Sequence, residues 1–525
     1  MVIKVSSSTT ATCFLILVPL ILLWTWKVLN MLWLRPKRFE RVLRSQGLQG
    51  NPYKLVVGDA KEMAKARKEA AISQKSANSL SNDKDIAPHL FTFIDHIVNK
   101  FGNYSFFWEG TRPKVILTNM EQIKEVFNKN HDFEKPQLNP LFQLLSTGLA
   151  NLEGEKWQVH RRIITPAFYL DKLKIMIPIF YQCCDDLVTQ WEGMLSSDGK
   201  CEIDVWPFLQ NMTCDVISKT AFGSSYEEGK KIFVLLKEQA RTVTQLRTYY
   251  IPGWWLLPTA INKKMRQINR DVRALLAGIV NKREKAMAAG EVLSNDLLGI
   301  LLESNHKEMQ ENGNKKTAKM TNQDVVEECN AFYLAGQETT SVLLVWTMIL
   351  LSRFPDWQER AREEVLNVIG NQKPDYDGLS RLKIVTMILY EVLRLYPPIM
   401  YFSRAVKKDV KLGNLFLPKG VHISLPILLI HQNRDIWGDD ATEFKPERFS
   451  EGVAKATKGQ VSFFPFGWGP RVCVGQNFAM LEAKMALALL LRRFSFELSP
   501  SYAHAPVTVL TLNPKFGAHI IFRKL

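Results

Sequence analysis

One stretch near the C-terminal end constrains this chain more than any other, because it places a single cysteine in a loop rich in glycine and proline. The stretch covers residues 463–475 and carries Arg471 two positions before Cys473. An apolar pattern with helical spacing follows directly, over about residues 476–491. A thiol at the entrance to a helix lies where backbone N–H groups point and the helix dipole is positive, so the thiolate is favoured. The pattern predicts a reactive or metal-binding thiolate at position 473.

The neighbours of Cys473 favour a flat, anionic cofactor. Gly469 and Gly475 carry no side chain, so a bulky ring system can approach the backbone there. Arg471 can meet an anionic group on such a ring. We therefore expect Cys473 to be the axial thiolate of a haem iron. The alternative is a small buried hydrophobic residue in a turn, which is the usual role of a lone cysteine.

The same stretch resembles the haem-ligand signature of the cytochrome P-450 family, Phe-x-x-Gly-x-Arg-x-Cys-x-Gly. Phe466, Gly469, Arg471, Cys473 and Gly475 fill every fixed position. The resemblance implies a mainly α-helical fold with small β-sheets and one haem b whose iron is bound by Cys473. It also implies that Phe466, Arg471 and Gly475 contact the cofactor. Further motifs, described below, occur in the family's order, so the resemblance covers the whole chain.

The length fits two or three average domains or one large one, and the composition argues against a nucleic-acid-binding protein and against a disulfide-rich protein. With 525 residues, of which 46% are hydrophobic, the chain can bury a large core. The formal net charge of +16 indicates an acidic partner or an anionic membrane surface. No zinc-ligand spacing or nucleic-acid motif supports binding to nucleic acid. Seven cysteines in so long a chain do not form a disulfide framework, which favours a reducing, cytosol-facing environment.

The N-terminus carries an apolar run long enough to cross a membrane. Residues 11–26 contain no charge, and residues 28–34 extend the run, so it spans a hydrocarbon core of about 30 Å. Basic residues crowd the segment after this run, at Arg35, Lys37, Arg38, Arg41 and Arg44. The positive-inside rule then predicts a single-pass anchor, in the endoplasmic reticulum membrane, with the remaining chain in the cytosol. A cleaved signal peptide is the alternative, but no small-residue cleavage pattern follows.

These features divide the chain into three segments. Residues 1–34 form a luminal tip and transmembrane anchor, residues 35–60 a basic linker, and residues 61–525 one haem-thiolate monooxygenase domain. No internal repeat or long low-complexity linker divides the last segment. Residues 35–53 look like the plant clan of the family that includes secologanin synthase and several triterpenoid oxidases.

A Trp-x-x-x-Arg pattern places Trp157 and Arg161 on one face of a helix, since they are four residues apart. An indole N–H and a guanidinium can both donate to a carboxylate, and the alternative is an amphipathic surface pair. In the family the matching pair reaches a haem propionate, so the resemblance implies this role for Trp157 and Arg161. His160 and Arg162 are then expected to face solvent or a reductase.

A helix with a capping box is predicted from Thr321 to about Arg353, and at its centre an acid lies beside an alcohol. The pair Ala335 and Gly336 removes side-chain bulk, which would let dioxygen and water lie against the backbone. Thr339 would then hold a hydrogen bond to dioxygen while Glu338 relays protons. The alternative is a Thr339 hydroxyl bonded back to its own helix and a surface charge at Glu338. Residues 335–340 match the family's oxygen-activation motif at every position.

Glu391 and Arg394 lie one turn apart on a helix with apolar neighbours, so a pair there would be buried and need further partners. In the family such a pair is joined by an arginine from a Pro-x-Arg-Phe-like segment, here Arg448. We expect the three to form a structural triad behind the cysteine loop, without a catalytic role.

Two apolar segments are candidates for the substrate pocket. The resemblance implies that the early part of the strand 399–404 lines the pocket and that Arg404 meets a haem propionate. The apolar loop 509–512 is the second candidate. Residues 413–417 and 421–429 suit a hairpin.

These motifs together predict a haem-thiolate monooxygenase anchored in the endoplasmic reticulum. Electrons from NADPH would arrive through a diflavin reductase docked on basic residues around the Cys473 side, with cytochrome b5 as a second partner. The expected substrate is a lipophilic plant metabolite, an oleanane- or ursane-type triterpenoid, oxidised once or in several steps. An iridoid glucoside or a gibberellin-type diterpenoid is the alternative.

Two other classes of protein stay open from the sequence. One is a haem-thiolate isomerase that uses no dioxygen, although such relatives usually lose the alcohol found here at Thr339. The other is a non-catalytic membrane-anchored binding protein in which Cys473 is merely buried.

Overall fold

Helices dominate the computed structural model, which describes residues 7–76, 90–137, 140–145, 148–223, 226–245, 253–290, 296–311 and 319–525. The helices are α1 Ser7–Leu29, α2 Arg35–Arg44, α3 Ala60–Ser76, α4 Thr92–Phe101, α5 Met120–Asn128, α6 Pro140–Gln143, α7 Gly154–Ile164, α8 Leu170–Glu192, α9 Val205–Phe222, α10 Tyr226–Gln245, α11 Ala260–Ala288, α12 Leu297–Glu311, α13 Asn322–Arg353, α14 Pro355–Val368, α15 Tyr376–Arg381, α16 Lys383–Leu395, α17 Ile427–His431, α18 Arg434–Trp437, α19 Val453–Ala456 and α20 Gln476–Arg493. This confirms a mainly α-helical fold. The sequence also predicts a charged loop over residues 311–319, of which residues 312–318 lie outside the described residues.

The strands are β1 Gln49–Gly50, β2 Ser105–Glu109, β3 Arg112–Ile116, β4 Phe133–Glu134, β5 Lys200–Asp204, β6 Phe402–Val406, β7 Val410–Leu412, β8 Leu415–Leu417, β9 His422–Leu425, β10 Phe494–Leu498, β11 Pro506–Thr508, β12 Leu512–Pro514 and β13 His519–Lys524. They form a six-stranded sheet in the order β1-β2-β3-β9-β6-β4 and a three-stranded sheet in the order β10-β13-β5. The pairs β7–β8 and β11–β12 are separate hairpins. The predicted small sheets are confirmed.

The predicted hairpin between residues 413–417 and 421–429 is wrong. Gly413, with φ of +55°, turns β7 back onto β8. Strand β9 instead lies in the large sheet, parallel to β3 and antiparallel to β6. The two segments belong to different sheets because β9 is buried at all four positions, whereas β8 alternates buried and exposed side chains.

Helix α13 is the centre of the fold, and its predicted start is confirmed. The Thr321 hydroxyl accepts from the Asp324 amide at 3.1 Å, and the Asp324 carboxylate accepts from the Thr321 amide at 3.0 Å. This capping box satisfies N–H groups that have no partner within the helix. Residues 341–351 are buried without interruption, and α13 is packed among other helices and strand β10. The helix ends before Pro355, which cannot continue its hydrogen bonds.

The N-terminal helix continues into the folded body. Residues Leu15–Arg44 form one helical rod, apolar and exposed in its first part, and long enough to cross a membrane. In α2, however, Phe39 and Leu43 are buried. Residues 35–44, which belong to the segment expected to be a basic linker, are thus packed on the body through one apolar face.

The predicted triad of Glu391, Arg394 and Arg448 is assembled as expected. The guanidinium of Arg394 donates twice to the Glu391 carboxylate, at 2.7 Å each, and both side chains are fully buried. Nε of Arg448 lies 3.5 Å from the same carboxylate. Arg394 also donates to the carbonyl of His431 at 2.7 Å. The pair therefore ties α16 to the segment that precedes the cysteine loop.

We expect Glu391→Ala to prevent haem incorporation. The substitution leaves Arg394 buried without its counter-charge, and breaking such a pair costs about 3–5 kcal/mol. Haem content per protein, measured by absorbance after purification, should fall to background. Glu447→Ala is the matched control, because Glu447 forms an exposed ion pair with Arg360 at 3.2 Å. A stable, haem-loaded Glu391→Ala protein would contradict the prediction.

Candidate active site

The cysteine loop is held by its own backbone. The amide of Cys473 donates to the Phe466 carbonyl at 2.8 Å, and the amide of Gly467 donates to Phe464 at 2.9 Å. Gly467 and Gly469 have φ values of +76° and +69°, which favour glycine over any other residue. The loop is therefore preformed by a turn that the sequence encodes locally.

Gly469 has a packing role that differs from the expected approach of a cofactor. A Cβ atom there would lie 3.1 Å from the Phe127 carbonyl and 3.0 Å from the side chain of Asn128. The missing side chain at Gly469 lets α5 approach the loop. At Gly475 the nearest atom to such a Cβ is 3.6 Å away, on Phe168, so more space is left there.

Cys473 is exposed to the space in front of the loop, while protein surrounds it on its other sides. Burial raises the pKa of its thiol, while the Gly475 amide and the Arg161 guanidinium act in the opposite direction. The helix entrance therefore does not by itself produce the thiolate that the sequence pattern predicted. A metal ion bound at the sulfur would displace the thiol proton.

His431 supports the loop from behind. Its Nε2 accepts a hydrogen bond from the Phe464 amide at 3.2 Å, and its carbonyl accepts from Arg394. Complete burial, followed by the charge of Arg394, lowers the pKa of His431 to about 3. The imidazole is thus neutral and available as an acceptor. Sequence reasoning missed this residue, since no local pattern connects it to the loop.

Trp157 and Arg161 lie on one face of α7, directed towards the cysteine loop. Arg161 donates to the carbonyl of Val472 at 2.8 Å, next to Cys473. The guanidinium of Arg471 stacks over the Trp157 ring at 4.3 Å from its centroid. Arg471 is also paired with Glu153, which precedes α7. The predicted donors Trp157, Arg161 and Arg471 therefore meet at one place.

The expectation that His160 faces solvent is wrong. His160 is 2% exposed, and its Nδ1 lies 2.6 Å from the Glu328 carboxylate on α13. The other oxygen of Glu328 accepts from the Leu149 amide at 2.9 Å. On α7, His160 precedes Arg161 by one residue, so it points to the neighbouring helix and not outwards. Arg162 is exposed and pairs with Glu308, as expected for a residue on the solvent side.

Positive charge exceeds negative charge beside the loop. Arg404 is buried, donates to the carbonyl of Ser403 at 2.9 Å, and forms no ion pair among the described residues. Burial, followed by the charge of Arg471, lowers the pKa of Arg404 to about 10. Burial lowers the pKa of nearby Lys135 to about 7, with Arg471 and Arg404 adding to the effect. The Glu153 carboxylate acts in the opposite direction and raises the pKa of both Lys135 and Arg404.

The middle of α13 presents two different faces. Ala335 and Thr339, four residues apart, are accessible on one face, and the Thr339 hydroxyl donates to the Ala335 carbonyl at 2.7 Å. This is the back-bond that the sequence left open as an alternative. Glu338 precedes Thr339 by one residue, so it lies on a neighbouring face of the helix. It is half-buried there, and its carboxylate accepts a hydrogen bond from the Thr511 hydroxyl at 2.7 Å.

Gly336 brings α9 close to α13. A Cβ atom at Gly336 would lie 2.8 Å from the Ile217 side chain of α9. The space expected to hold dioxygen is thus filled by Ile217 at this position. The accessible side of the helix is at Ala335 instead.

A cavity of about 580 Å³ lies beside Glu338, between α9, α10, α13 and the hairpin β11–β12. Val509 and Leu510 line it, in agreement with the loop 509–512 as a pocket candidate. In the other candidate segment, the Phe402 ring packs on that of Phe127, with 5.8 Å between centroids, and lies 3.6 Å from where a Cβ of Gly467 in the cysteine loop would be. Sequence reasoning missed Thr511 as a partner of Glu338. The sequence feature that could indicate this contact is a single hydroxyl within an otherwise apolar loop.

The groups around Cys473 fit the flat, dianionic cofactor predicted from the sequence. A cysteine sulfur is a soft ligand that haem iron accepts. Arg404 lacks an ion-pair partner in the described chain, and Nε of Arg471 is buried without a hydrogen bond. Two propionates would supply the missing counter-charge and acceptors. The fold and the site thus define a haem-thiolate protein.

Comparison with known proteins agrees with this class. The family model described as Cytochrome P450 matches residues 80–516. An 11-oxo-beta-amyrin 30-oxidase of Glycyrrhiza uralensis is 61% identical over 505 residues, which cover 96% of each chain. An 11-oxo-beta-amyrin 30-oxidase of Medicago truncatula is 60% identical over 95% of each chain. The structure of retinoic acid-bound cyanobacterial CYP120A1 shares the fold, with a TM-score of 0.74, 22% identity, and coverage of 91% of this chain and 99% of that chain.

The chain belongs to the cytochrome P450 family. It is a haem-thiolate monooxygenase that binds haem b through a cysteine thiolate and receives electrons from a reductase. Membership also implies a lipophilic substrate, and the N-terminal apolar helix fits a membrane-anchored member of the family.

We expect the free energy of unfolding to depend on His431 in acid. Its folded pKa of about 3 lies below the ordinary value near 6.5, so below pH 6.5 only the unfolded state binds a proton there. Stability is therefore lost as pH falls from about 6.5, by up to about 1.4 kcal/mol per pH unit. His431→Asn keeps an acceptor but cannot titrate. Its curve from pH 6.5 to 5, measured by denaturant unfolding, should be flatter than that of the unsubstituted protein.

His96→Asn is the control for this pH experiment, because His96 is exposed. Its unfolding curves should have the same pH dependence as those of the unsubstituted protein. If His431→Asn also showed that dependence, His431 would not be the neutral acceptor described above.

Proposed function

We propose that this monooxygenase oxidises an oleanane-type triterpenoid such as 11-oxo-beta-amyrin. The observation that carries this proposal is 61% identity over 96% of the chain to an 11-oxo-beta-amyrin 30-oxidase. A second relative of the same name, from another plant, is 60% identical. Repeated oxidation at one carbon would give an aldehyde or acid.

Cys473 is the axial ligand in this proposal, and the basic groups beside it hold the propionates. Arg404, Arg471, Arg161 and Trp157 are the donors. Support comes from the buried, unneutralised guanidinium of Arg404 and from the contact of Arg161 with the loop backbone at Val472. Phe466 and Gly475 flank the thiol. The hydrogen bond that the Cys473 amide donates to the Phe466 carbonyl keeps the sulfur in place, so binding needs no large movement of the loop.

Bound haem supplies the activation of dioxygen and the transfer of one oxygen atom to a C–H bond, which a thiolate ligand favours. The chain's own residues supply space and protons. Ala335 and Thr339 form the accessible face of α13, where the Thr339 hydroxyl can rotate from its back-bond to donate a hydrogen bond. Glu338 faces the cavity and exchanges protons with water there. The other face of Gly336 is closed by Ile217, which keeps water from that side.

The anchor and the partners complete the proposal. Residues Leu15–Arg44 place the protein in the endoplasmic reticulum membrane, with basic residues after the apolar run on the cytosolic side. The reductase docks on the Cys473 side, beside α7, on which Lys156 and Arg162 are exposed and paired with Asp324 and Glu308. Cytochrome b5 would use the same basic surface.

We expect microsomes containing this protein and a reductase to oxidise 11-oxo-beta-amyrin when NADPH is supplied. An iridoid glucoside and a gibberellin-type diterpenoid, offered at the same concentration, should give no product, because a pocket selects by shape and apolar contact. Product analysis by mass spectrometry provides the measurement. Microsomes with reductase alone are the control. Oxidation of only the glucoside or the diterpenoid would overturn the triterpenoid proposal.

A further inference from the structure

The turn between β11 and β12 holds the acid of α13. The Thr511 hydroxyl is 2% exposed and donates to Oε1 of Glu338 at 2.7 Å. The side-chain amide of Asn513 reaches the same oxygen at 3.4 Å, a longer and weaker contact. A hydrogen bond from a buried hydroxyl to a carboxylate is among the stronger kinds in proteins. The Thr511 hydroxyl also lies 3.0 Å from Oδ1 of Asn513, but its one proton favours the shorter contact to the charged carboxylate, so Thr511 is the principal group that fixes where this carboxylate points.

We propose that Thr511 is a positioning residue for the monooxygenase reaction, because it holds the Glu338 carboxylate at the cavity from which that group takes up protons. This inference rests on the proton-transfer role given to Glu338 under the proposed function. Thr511 itself touches neither the substrate nor the cofactor in this account. It acts through Glu338.

The hairpin is anchored so that the Thr511 hydroxyl has a defined position. The indole N–H of Trp346, two turns after Glu338 on α13, donates to the Leu512 carbonyl at 2.7 Å. The Leu512 amide donates to the Pro398 carbonyl at 3.2 Å. The hairpin thus contacts α13 at two points, one at the acid and one at a buried tryptophan. Without this second contact, the hairpin would lose backbone and rotamer freedom each time the hydroxyl bound the carboxylate. That loss of entropy would weaken the hydrogen bond.

The other side of the carboxylate faces the cavity. The charged residues that line this cavity, besides Glu338, are Asp204, Lys237, Arg241 and Lys515. The Lys237 amine donates to Gln210 at 2.8 Å. Burial lowers the pKa of Lys237, Arg241 lowers it further, and the Glu338 carboxylate opposes both. The acid therefore lies between a fixed hydroxyl on one side and a charged cavity on the other.

The same turn also forms part of the cavity wall. Val509 and Leu510 line the cavity and lie next to Thr511 in the chain. A ligand that shifts this turn moves the hydroxyl that holds Glu338.

The test uses the full-length protein in microsomes with reductase, and 11-oxo-beta-amyrin as the probe substrate. Thr511→Val removes the hydroxyl at nearly constant shape, and Thr511→Ser restores it. Product formed per NADPH consumed should fall about tenfold in Thr511→Val, with more hydrogen peroxide released, because a bond to a charged group is lost. Thr511→Ser should stay near the unsubstituted value.

The matched control is Thr508→Val, on the same hairpin. The Thr508 hydroxyl contacts the sulfur of Met400 at 3.5 Å and does not bond to Glu338. In Thr508→Val, the product formed per NADPH consumed should be unchanged. An equal loss in Thr508→Val and Thr511→Val would mean that the hairpin matters only as a structural element, which would overturn the proposal.

A double-mutant cycle with Glu338→Met separates positioning from structure. If Thr511 acts through Glu338, Thr511→Val causes no further loss of coupling in the Glu338→Met protein. A further tenfold loss there would overturn the positioning role alone. Unchanged coupling in Glu338→Met would instead overturn the proton-transfer role of Glu338, and the inference with it.

Amide hydrogen exchange supplies a readout that does not depend on turnover. Both Thr511→Val and Glu338→Met break the same bond, so both should increase exchange in a peptide covering residues 505–515. Thr508→Val should leave that peptide unchanged. Equal protection of this peptide in the unsubstituted protein and in the three variants would show that the hydrogen bond from Thr511 to Glu338 does not hold the hairpin to α13. That result would contradict the proposal.

Discussion

The buried pair of Glu391 and Arg394 is the interaction on which the cysteine loop depends. Two fully buried charges are stable only when every donor and acceptor is used, and here the remaining donors of Arg394 reach backbone carbonyls of the segment that follows β9. One of these carbonyls belongs to His431, whose ring accepts from the Phe464 amide at the start of the loop. A continuous series of hydrogen bonds therefore runs from α16 to the loop. The loop's own turn sets its shape, and the charge pair outside it fixes where the loop lies on the body, so an error in that pair would reach Cys473.

The electrostatics in front of the loop complement this rigidity. Burial raises the pKa of the Cys473 thiol, and burial also lowers the pKa of Arg404 to about 10. Both shifts have the same origin, an environment that disfavours charge without a partner. A metal at the sulfur and carboxylates at the guanidinium would relieve both together. The protein surrounding Cys473 is therefore matched to a cofactor that carries a cation at its centre and anions at its edge.

The sequence predicts those parts of the site that short spacings encode. The capped helix α13, the loop before α20 and the Glu391–Arg394 pair depend on residues within a turn or two of each other, and each is confirmed. Long-range contacts decide the rest. His160 was expected in solvent because nothing nearby in the chain predicts its bond to Glu328, which lies 168 residues away. Sequence reasoning misses the Thr511 partner of Glu338 and the separation of β8 from β9 for the same reason. Several hydroxyls and strands look equivalent in the local sequence, and only tertiary packing decides which of them make these contacts.

The central claim, that Cys473 provides the thiolate ligand, is tested most directly by the difference spectrum of the reduced protein with carbon monoxide. We expect the unsubstituted protein to show the red-shifted Soret band of a thiolate-bound haem. Cys473→Ser should lose that band, because a hydroxyl is a poor, hard ligand for the iron. Cys201→Ser, which removes a partly exposed cysteine away from the loop, should keep it. A red-shifted band that persists in Cys473→Ser would contradict the account.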